Sequence, residues 1–432
     1  IHVLRTPNDR WIDDIGMREY GWTPGSYSIF YERTITAVSG DTITVDVPMV
    51  QALTEKYGLG EIYHYDASYR LRNVGIEDLY LTSLYASETD ENHANRAIYF
   101  QNVEDAWARR VTAKYFQRGT VTINWGYRIT VEDCALVDPK SLISGSRRYS
   151  FEINKGSFNL FQRIYTRNGR HDQVTGSRVA GPNVYVDNYS EESHAEAGPH
   201  HRYATGLLLD NVRNRNIRVR NRGFTSSGSG HGWSGAQVMF WNVEAETGYE
   251  VYVSQPAGSR SWAVGSVGRR TGNGFFELND QNAQPRSLFY RQLQDRIGKE
   301  AVDAMTSDAQ KDGTILEQLR AWKGDGAFDP ARTTSVDQTE PGLESPSRFF
   351  LSANYPNPFN PATRIRFGLG STSLATLTVT NTLGRQVAQP LRNVLPAGLH
   401  EIPFAAGHLP SGVYFYTLTA GAFTETRSML LL

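Results

Sequence analysis

The chain has 432 residues, 44 basic and 45 acidic side chains, and a formal net charge of -1. So balanced a charge gives no electrostatic reason to expect nucleic acid or an anionic membrane as a partner. The lone cysteine, Cys134, excludes an intrachain disulfide. No apolar run reaches the roughly 18 residues that a membrane-spanning helix requires.

Residues 1–285 contain short runs of β-branched and aromatic residues separated by Gly, Asn and Asp, which predicts strands throughout this region. Six of these runs share a pair of inward apolar residues and recur at steps of about 23 to 33 residues. A repeat of this length suits one coil of a parallel β-helix, because a coil buries its inward face only by stacking on its neighbours. The six runs are 97–102, 120–125, 150–155, 183–188, 206–211 and 237–242.

The region 30–280 resembles the pectate-lyase-like superfamily of right-handed parallel β-helices, and the segment 26–49 resembles an early coil. The alternative is a β-sandwich, in which strands recur at roughly 8–12 residues. Because the sequence starts abruptly in a strand-like stretch, we expect the β-helix domain, 1–285, to lack its first coils. Asparagine closes four of the runs, where the amides of successive coils can bond to one another. These are Asn102, Asn188, Asn211 and Asn242, whereas Trp125 and Lys155 break the column.

Two further segments follow the predicted β-helix. In 286–322, apolar residues recur every four positions, which predicts a short helical segment packed on the β-helix. The segment 323–347 is polar and rich in Gly, Pro and Ser, which is typical of a linker. The helical apolar positions are Phe289, Leu293, Ile297, Ala301 and Met305.

The last region, 348–432, alternates polar and apolar residues and predicts a small Ig-like β-sandwich. It carries an ordered series of motifs: NYPNPFNPATRIRFGL at 354–369, NTLGRQV at 381–387, LPAGLHEIPF at 395–404 and LPSGVYFYTLTAG at 409–421. This series resembles the C-terminal sorting domain of proteins exported by the type IX secretion system of Bacteroidetes-like bacteria. The resemblance implies that the type IX machinery is a partner and that the protein is extracellular or attached to the outer cell surface.

Stacking the runs brings distant residues together in the predicted β-helix. The step from 206–211 to 237–242 places His231 over His200, and the preceding step places Asp187 beside Asp210. We therefore expect one groove with two carboxylates below a loop that carries several basic side chains. The candidate catalytic residues are His200, His201, Arg202, Asp187, Asp210 and His231, and the candidate substrate-binding residues are Trp233, Trp241, Arg213 and Arg218.

Two adjacent carboxylates cannot both ionise at low cost unless they share a cation or a proton. Asp187 and Asp210 can bind Ca²⁺, an oxygen-seeking ion that would polarise a uronate carboxylate for β-elimination. They can instead act as the acid and base of a glycoside hydrolase, or be neutralised by Arg202 and the histidines. A zinc site is a further possibility from the ligand types, but no HExxH-type or CxxC spacing supports it. Stacked polar residues are also typical of a plain solvated ladder.

These features predict a carbohydrate-active protein whose partner is a polysaccharide. We expect a lyase that acts on an acidic, uronate-containing glycan, with Arg202 or a histidine removing the proton and Arg202 pairing the substrate carboxylate. One alternative is a hydrolase that uses Asp187 and Asp210. Another is a non-catalytic adhesin or fibre subunit that self-associates through open strand edges. The arginine and calcium-ligand motifs of the best-known pectate lyases are not found at matching positions, so no catalytic residue is carried over from them.

Overall fold

A computed structural model of the chain describes residues 1–223, 230–328 and 349–431, the last range without 353, 355, 356, 358, 360 and 408. The chain forms two compact units, Ile1–Thr333 and Thr334–Leu432. Within the described ranges, no helix is long and apolar enough to cross a membrane. Most of the expected linker, 323–347, lies outside the described residues.

The first 70 residues do not form coils. Strands β1 and β2 pair antiparallel, β5 pairs on the other side of β1, and β3 and β4 form a hairpin around a two-residue turn at Gly40-Asp41. The expectation of an early coil at 26–49 is therefore wrong, because a Gly-Asp turn reverses the chain where a coil would continue forward. The elements are β1 (His2–Arg5), α1 (Asp9–Asp14), β2 (Ile29–Glu32), β3 (Ile35–Ser39), β4 (Thr42–Val45) and β5 (Glu61–Tyr63), with 3-10 turns at Arg18–Tyr20, Pro24–Tyr27 and Glu55–Tyr57.

The parallel coils begin at residue 71, and all of their strands except β17 and β20, which pair with each other, form one large parallel sheet. This confirms the predicted parallel β-helix. The strands are β6 (Leu71–Arg72), β7 (Gly75–Thr82), β8 (Arg96–Lys114), β9 (Gly119–Glu132), β10 (Ala135–Val137), β11 (Tyr149–Ile153), β12 (Gly156–Ser157), β13 (Leu160–Arg167), β14 (His171–Thr175), β15 (Asn183–Glu191), β16 (Glu196–Pro199), β17 (Ala204–Thr205), β18 (Leu207–Asn214), β19 (Asn216–Val219), β20 (Gly235–Ala236), β21 (Met239–Trp241), β22 (Glu244–Ala245), β23 (Glu250–Val253), β24 (Trp262–Val264), β25 (Arg269–Thr271) and β26 (Phe275–Glu277).

The pairings separate the coil into three faces. Face 1 stacks the first halves of β8 and β9 with β11, β14, β16, β19, β23 and β25. Face 2 stacks later parts of β8 and β9 with the first part of β13, then β15, β18, β21, β24 and β26. Face 3 stacks β7, the end of β8, β10 and the second halves of β13, β15 and β18 with β22.

The six aligned runs therefore do not share one sheet. The first three lie on face 1 and the last three lie on face 2. The core between the faces is apolar, and large residues such as Phe151, Phe161, Tyr185 and Phe240 are fully buried in it. A pair of inward apolar residues can pack into this core from any of the three faces. The sequence pattern alone therefore did not distinguish the faces.

The asparagine column also differs from the expectation. Asn211 and Asn242 both donate from Nδ2 to the backbone oxygen of Arg286, at 3.0 and 2.9 Å, instead of bonding to each other. A buried pair that does bond between coils is Asn159 and Asn183, with Nδ2 of the first donating to Oδ1 of the second at 3.1 Å. The recurring amides therefore hold the segment that follows the β-helix.

That segment folds as four short helices against the outside of the coil, which confirms the predicted helical segment. Tyr290, Leu293 and Val302 cover Val186 on the outer side of face 2. Ile315 and Leu319 pack with Tyr165 and Tyr189. The apolar stripe breaks at Gly298, and Ile297 and Met305 are exposed. The helices are α2 (Leu288–Ile297), α3 (Lys299–Met305), α4 (Asp308–Asp312) and α5 (Ile315–Trp322).

The second unit is a small antiparallel β-sandwich, as the sequence predicts. A three-stranded sheet in the order β27-β28-β31 and a four-stranded sheet in the order β30-β29-β32-β33 enclose one apolar core. The strands are β27 (Phe350–Leu351), β28 (Ala362–Leu369), β29 (Ser373–Asn381), β30 (Gln386–Leu395), β31 (Gly398–Ala405), β32 (Gly412–Ala420) and β33 (Phe423–Leu431).

Candidate functional site

The coil brings four histidines together beside face 1, and we call these residues, His171, His200, His201 and His231, the histidine cluster. His171 begins β14, and His200 and His201 follow β16 on the next rung. The ring centroid of His200 lies 4.4 Å from that of His171, 5.2 Å from that of His201 and 5.1 Å from that of His231. The predicted juxtaposition of His200 and His231 is confirmed, because β17 and β20 pair Ala204 with Gly235 in the expected register.

Arg222 determines which nitrogen of His200 carries the proton. Its Nη1 lies 2.6 Å from His200 Nδ1 and also 2.9 Å from Oε1 of Glu196. A guanidinium only donates, so Nδ1 of His200 accepts and the neutral ring is protonated on Nε2. That Nε2–H donates to the hydroxyl oxygen of Tyr149 at 2.9 Å. The phenol proton of Tyr149 is therefore directed away from His200.

Burial keeps the histidine cluster neutral. It lowers the pKa of His171 and of His201 to about 3 and that of His231 to about 4. The pKa of His200 is also lowered by burial and by its cationic neighbours. Burial alone would raise the pKa of Glu196, but His171 and nearby arginines outweigh it and lower that pKa to about 2. At neutral pH the site thus combines uncharged imidazoles with one ionised carboxylate.

Several buried polar atoms at this site have no hydrogen-bond partner among the described residues. They include Nε2 of His171, Nδ1 of His201 and Nη1 of Arg170. Buried polar atoms in proteins are almost always satisfied, so atoms such as these mark places where a ligand or water would bind.

The donor set suits an anion better than a metal ion. Ligand atoms of His171, Glu196 and His200 lie within 4.8 Å of one another, as in a metal site. However, Arg222 already donates to both Glu196 and His200, and Arg218 and Arg220 lie within 4 Å of Glu196. A cation placed there would meet this positive charge at short range.

The two predicted aspartates lie elsewhere. Asp210 pairs with Val186 instead of Asp187, so this step is one residue longer than the sequence alignment assumed. Register follows the inward residue, which is Tyr185. Its neighbours Val184 and Val186 are covered from outside by the helices, so both sides of the strand are apolar and alternation does not reveal the inward side.

Asp187 and Asp210 anchor the helical segment instead of forming a groove with the histidines. Both are fully buried, with 0% of either residue exposed. Asp187 accepts from Arg286 Nη1 at 2.9 Å and from Gln310 Nε2 at 2.8 Å. Asp210 accepts from Ser287 Oγ at 2.7 Å and from Phe289 N at 2.8 Å, and burial raises its pKa to about 7. The expected contact of this pair with the histidines is therefore wrong, whereas the calcium site on Asp187 and Asp210 stays a prediction.

The predicted substrate-binding side chains are mostly engaged within the fold. The indole Nε1 of Trp233 donates to Ile15 O at 2.8 Å, and that of Trp241 donates to Pro285 O at 2.9 Å. Arg213 pairs with Glu244 at 2.9 Å. Arg218 pairs with Glu250 at 2.8 Å and lies 3.6 Å from Glu196, so it borders the histidine cluster. Arg202 also belongs to this edge, since its backbone N–H donates to His231 O at 3.2 Å.

Sequence reasoning missed Tyr149 and His171, and it did not assign Glu196 or Arg222 to the site. Strand β14 has the sequence HDQVT, which lacks the apolar pair used to align the coils, so its pairing with β11 was not found. The arginines were visible as the alternating series 213–223, which signals an exposed strand face.

Comparison with known proteins identifies only the C-terminal region. Residues 353–431 match the family described as the secretion system C-terminal sorting domain. This match indicates that the protein is secreted to the extracellular space or the cell surface of a Bacteroidetes-like bacterium, with the type IX machinery as a partner. No match was found among curated proteins or among solved structures.

Proposed function

We propose that the protein is a polysaccharide lyase that cleaves an acidic, uronate-containing glycan at the histidine cluster. The observation that carries this proposal is a group of neutral imidazoles placed among arginines, with buried polar atoms still unsatisfied. The coiled parallel fold, the resemblance of the sequence pattern to the pectate-lyase-like superfamily and the secreted location are consistent with it. β-Elimination from a uronate requires three things: neutralisation of the carboxylate, a base for the adjacent carbon proton, and an acid for the leaving oxygen.

Arginines at the edge of the cluster supply the positive charge. Arg170 and Arg202 are partly exposed, and Arg222 is more deeply buried and contacts His200. A guanidinium pairs with a carboxylate through two parallel hydrogen bonds, which both orients the sugar and stabilises the charge that develops on the carboxylate.

His201 is the base in this proposal. It is the most accessible of the four histidines, being only partly buried, and its Nδ1 is unsatisfied among the described residues. Its low pKa keeps it unprotonated, and a bound carboxylate would raise that pKa towards neutrality. His201 takes the proton from the carbon next to the carboxylate, a carbon–carbon double bond forms, and the bond to the leaving oxygen breaks. Tyr149 donates its hydroxyl proton to that oxygen.

Incubation with pectins, alginate and glycosaminoglycans tests the proposal, with absorbance of the unsaturated uronate ends as the readout. We expect His201→Gln to lower turnover by about 100-fold or more, which is typical for loss of a general base. The matched control is His64→Gln, because His64 is exposed and lies outside the cluster. Silence of the unmodified protein on lyase and reducing-sugar assays across this panel would remove the proposal.

The hydrolase alternative has less support, since its two carboxylates, Asp187 and Asp210, are enclosed beneath the helical segment. Reducing ends produced without unsaturated products would favour it nonetheless. In that case, the hydrolytic carboxylates would have to be sought away from this pair.

A non-catalytic role in self-assembly is supported by a separate observation. Strands β6 and β7 of the first coil pair with β8, and the described residues place no strand on their other side. Leu71, at 63% exposed, and Val74 lie at this open edge. An open parallel edge with apolar side chains is a template for pairing with a second copy. Sedimentation velocity tests this by comparing the unmodified protein with Leu71→Lys, which should assemble less. Leu383→Lys, at another exposed leucine, is the control and should assemble as the unmodified protein does. A monomer at all concentrations excludes assembly.

A further inference from the structure

A cavity of about 130 Å³ lies at the turn where face 1 meets face 2, separate from the histidine cluster. Phe30 forms its wall on the N-terminal side, and Trp125, Tyr127, Lys155 and Arg178 line the rest. The turns of neighbouring coils lie close together here. A Cβ on Gly156, which has a φ of +124°, would lie 1.9 Å from the backbone oxygen of Gly126.

This cavity lies in the same stack of turns as His201. The strands pair Ile123 with Ile153, Ile153 with Thr175 and Thr175 with Pro199. The residues two positions after these are, in the same order, Trp125, Lys155, Ser177 and His201. Trp125, Lys155, Ser177 and His201 thus occupy equivalent turn positions on four successive coils. Two coil steps, about 10 Å, separate Lys155 from His201. The positive charge of Lys155 also contributes to lowering the pKa of His201.

The cavity is cationic and has no acidic lining residue among those described. Lys155 Nζ donates to the backbone oxygen of Ser177 and lies 3.5 Å from that of Arg178. Burial, with Arg178 nearby, lowers the pKa of Lys155 to about 8. In the part of the chain that the structure describes, neither Lys155 nor Arg178 has a carboxylate within salt-bridge distance. Desolvated cations without a counter-ion are costly, and an anionic ligand would offset that cost.

Trp125 adds an aromatic surface beside these two cations. An indole presents a large apolar face against which the C–H side of a sugar ring packs. Tyr127 is less available for this role, because the guanidinium of Arg70 lies 3.9 Å from its ring centroid. A ligand that combines a carboxylate with a sugar ring matches both features of the cavity.

We propose that this cavity is a subsite for one hexuronate unit, whose carboxylate pairs with Lys155 and Arg178 and whose ring packs on Trp125. The inference rests on the proposed function in that the same glycan would continue along the stacked turns to His201. It goes beyond that function because it assigns a binding role to residues that lie two coils away from the bond that is cleaved.

Direct binding tests the subsite independently of turnover. Isothermal titration calorimetry is carried out with oligogalacturonate, with its carboxyl-reduced form, and with a sulfated galactan that lacks carboxylates. We expect Lys155→Gln and Trp125→Leu each to weaken binding of oligogalacturonate by about 10-fold. The control Lys114→Gln, at the end of β8, should leave binding unchanged. Thermal unfolding verifies that each variant is folded. If one of them is not folded, Phe30→Ala, on the exposed wall of the cavity, is used in its place.

The outcomes separate the subsite from the lyase. Weaker binding in the variants supports the subsite even if no glycan is cleaved, and the lyase proposal then fails alone. Turnover by the unmodified protein, with unchanged binding in Lys155→Gln, Trp125→Leu and Phe30→Ala, overturns the subsite and leaves the lyase. Equal affinity for oligogalacturonate and its carboxyl-reduced form also overturns it. Equal affinity for the sulfated galactan overturns the assignment to a carboxylate.

Discussion

At the scale of single residues, burial decides the charge of the histidine cluster. In an unfolded chain an imidazole titrates near pH 6.5, whereas in the folded protein the pKa of His171 is about 3 and that of His231 about 4. Between these values the unfolded chain binds more protons than the folded one. The free energy of unfolding therefore falls as the pH falls from about 6.5 towards 4.

Each histidine that stays neutral contributes up to about 1.4 kcal/mol per pH unit to this loss. Asp210 acts in the opposite sense. Its folded pKa of about 7 lies above its unfolded value, so its contribution is fully present at low pH and is lost as the pH rises through 7. The total slope thus mixes both signs, and a variant that removes one histidine isolates a single contribution.

We therefore expect His171→Gln to reduce the pH dependence of unfolding between pH 6 and pH 4.5 by up to about 1.4 kcal/mol per unit. Urea unfolding at several pH values measures it, and the slope remains informative even if the variant is less stable overall. His64→Gln, which removes an exposed histidine, should leave the slope unchanged. Equal slopes for His171→Gln and the unmodified protein would contradict the neutral, buried state of His171.

The sequence predicted about half of the residues at this site. His200, His201, Arg202 and His231 were found because their turns join strands whose 31-residue register holds in the structure. Tyr149 and His171, the paired first residues of β11 and β14, were not found because HDQVT in β14 lacks the inward apolar pair by which the coils were aligned. The length of each turn is irregular, and a repeat of inward residues does not encode it.

At the scale of elements, the helical segment is held to face 2 by buried ionic contacts as well as by apolar packing. Ser287 caps α2 by accepting from Tyr290 N, and its own hydroxyl donates to Asp210. Arg286, one residue earlier, pairs with the fully buried Asp187 at 2.9 Å. The register of the helices on the coil is therefore fixed where the segment begins.

Removing one partner of the buried pair should loosen this attachment. Arg286→Ala leaves the carboxylate of Asp187 without its counter-ion, and we expect it to cost about 3–5 kcal/mol of unfolding free energy. The matched control is Arg291→Ala on α2, because Arg291 pairs with Asp295 at the surface and an exposed pair contributes about 0–1 kcal/mol. Urea unfolding compares the two variants. Similar losses for both would show that Arg286 does not anchor the segment.

For most elements, the sequence predicted the type of structure correctly. It predicted less well which strands pair with one another. Coil, helices and sandwich were all predicted, since each depends on a periodicity that its own segment carries. The three faces and the one-residue shift at Tyr185 were not predicted. They depend on which side of a strand is covered by another element, and the strand's own sequence does not reveal this. The outer side of face 2 is apolar only because α2 and α3 pack on it.

At the scale of the whole molecule, the two units have separate cores. The core of the sandwich consists of residues from the second unit alone, among them Leu377, Val379 and Leu418. The first unit carries both the histidine cluster and the turn cavity. The match to the sorting-domain family at 353–431 lies within the second unit.

We expect export to require that the sandwich is folded, and to tolerate substitutions at exposed positions of the sandwich. In a bacterium with a type IX system, deletion of 349–432 should retain the first unit inside the outer membrane. Leu377→Asp should do the same, because Leu377 is fully buried and a carboxylate there would be desolvated without a partner. Leu383→Asp is the matched control, since Leu383 is 90% exposed and should be tolerated. Immunoblots of periplasmic, surface and medium fractions measure the distribution. Surface delivery of Leu377→Asp at the unmodified level would mean that the motifs are read as an extended sequence and that the sandwich is not what the machinery recognises.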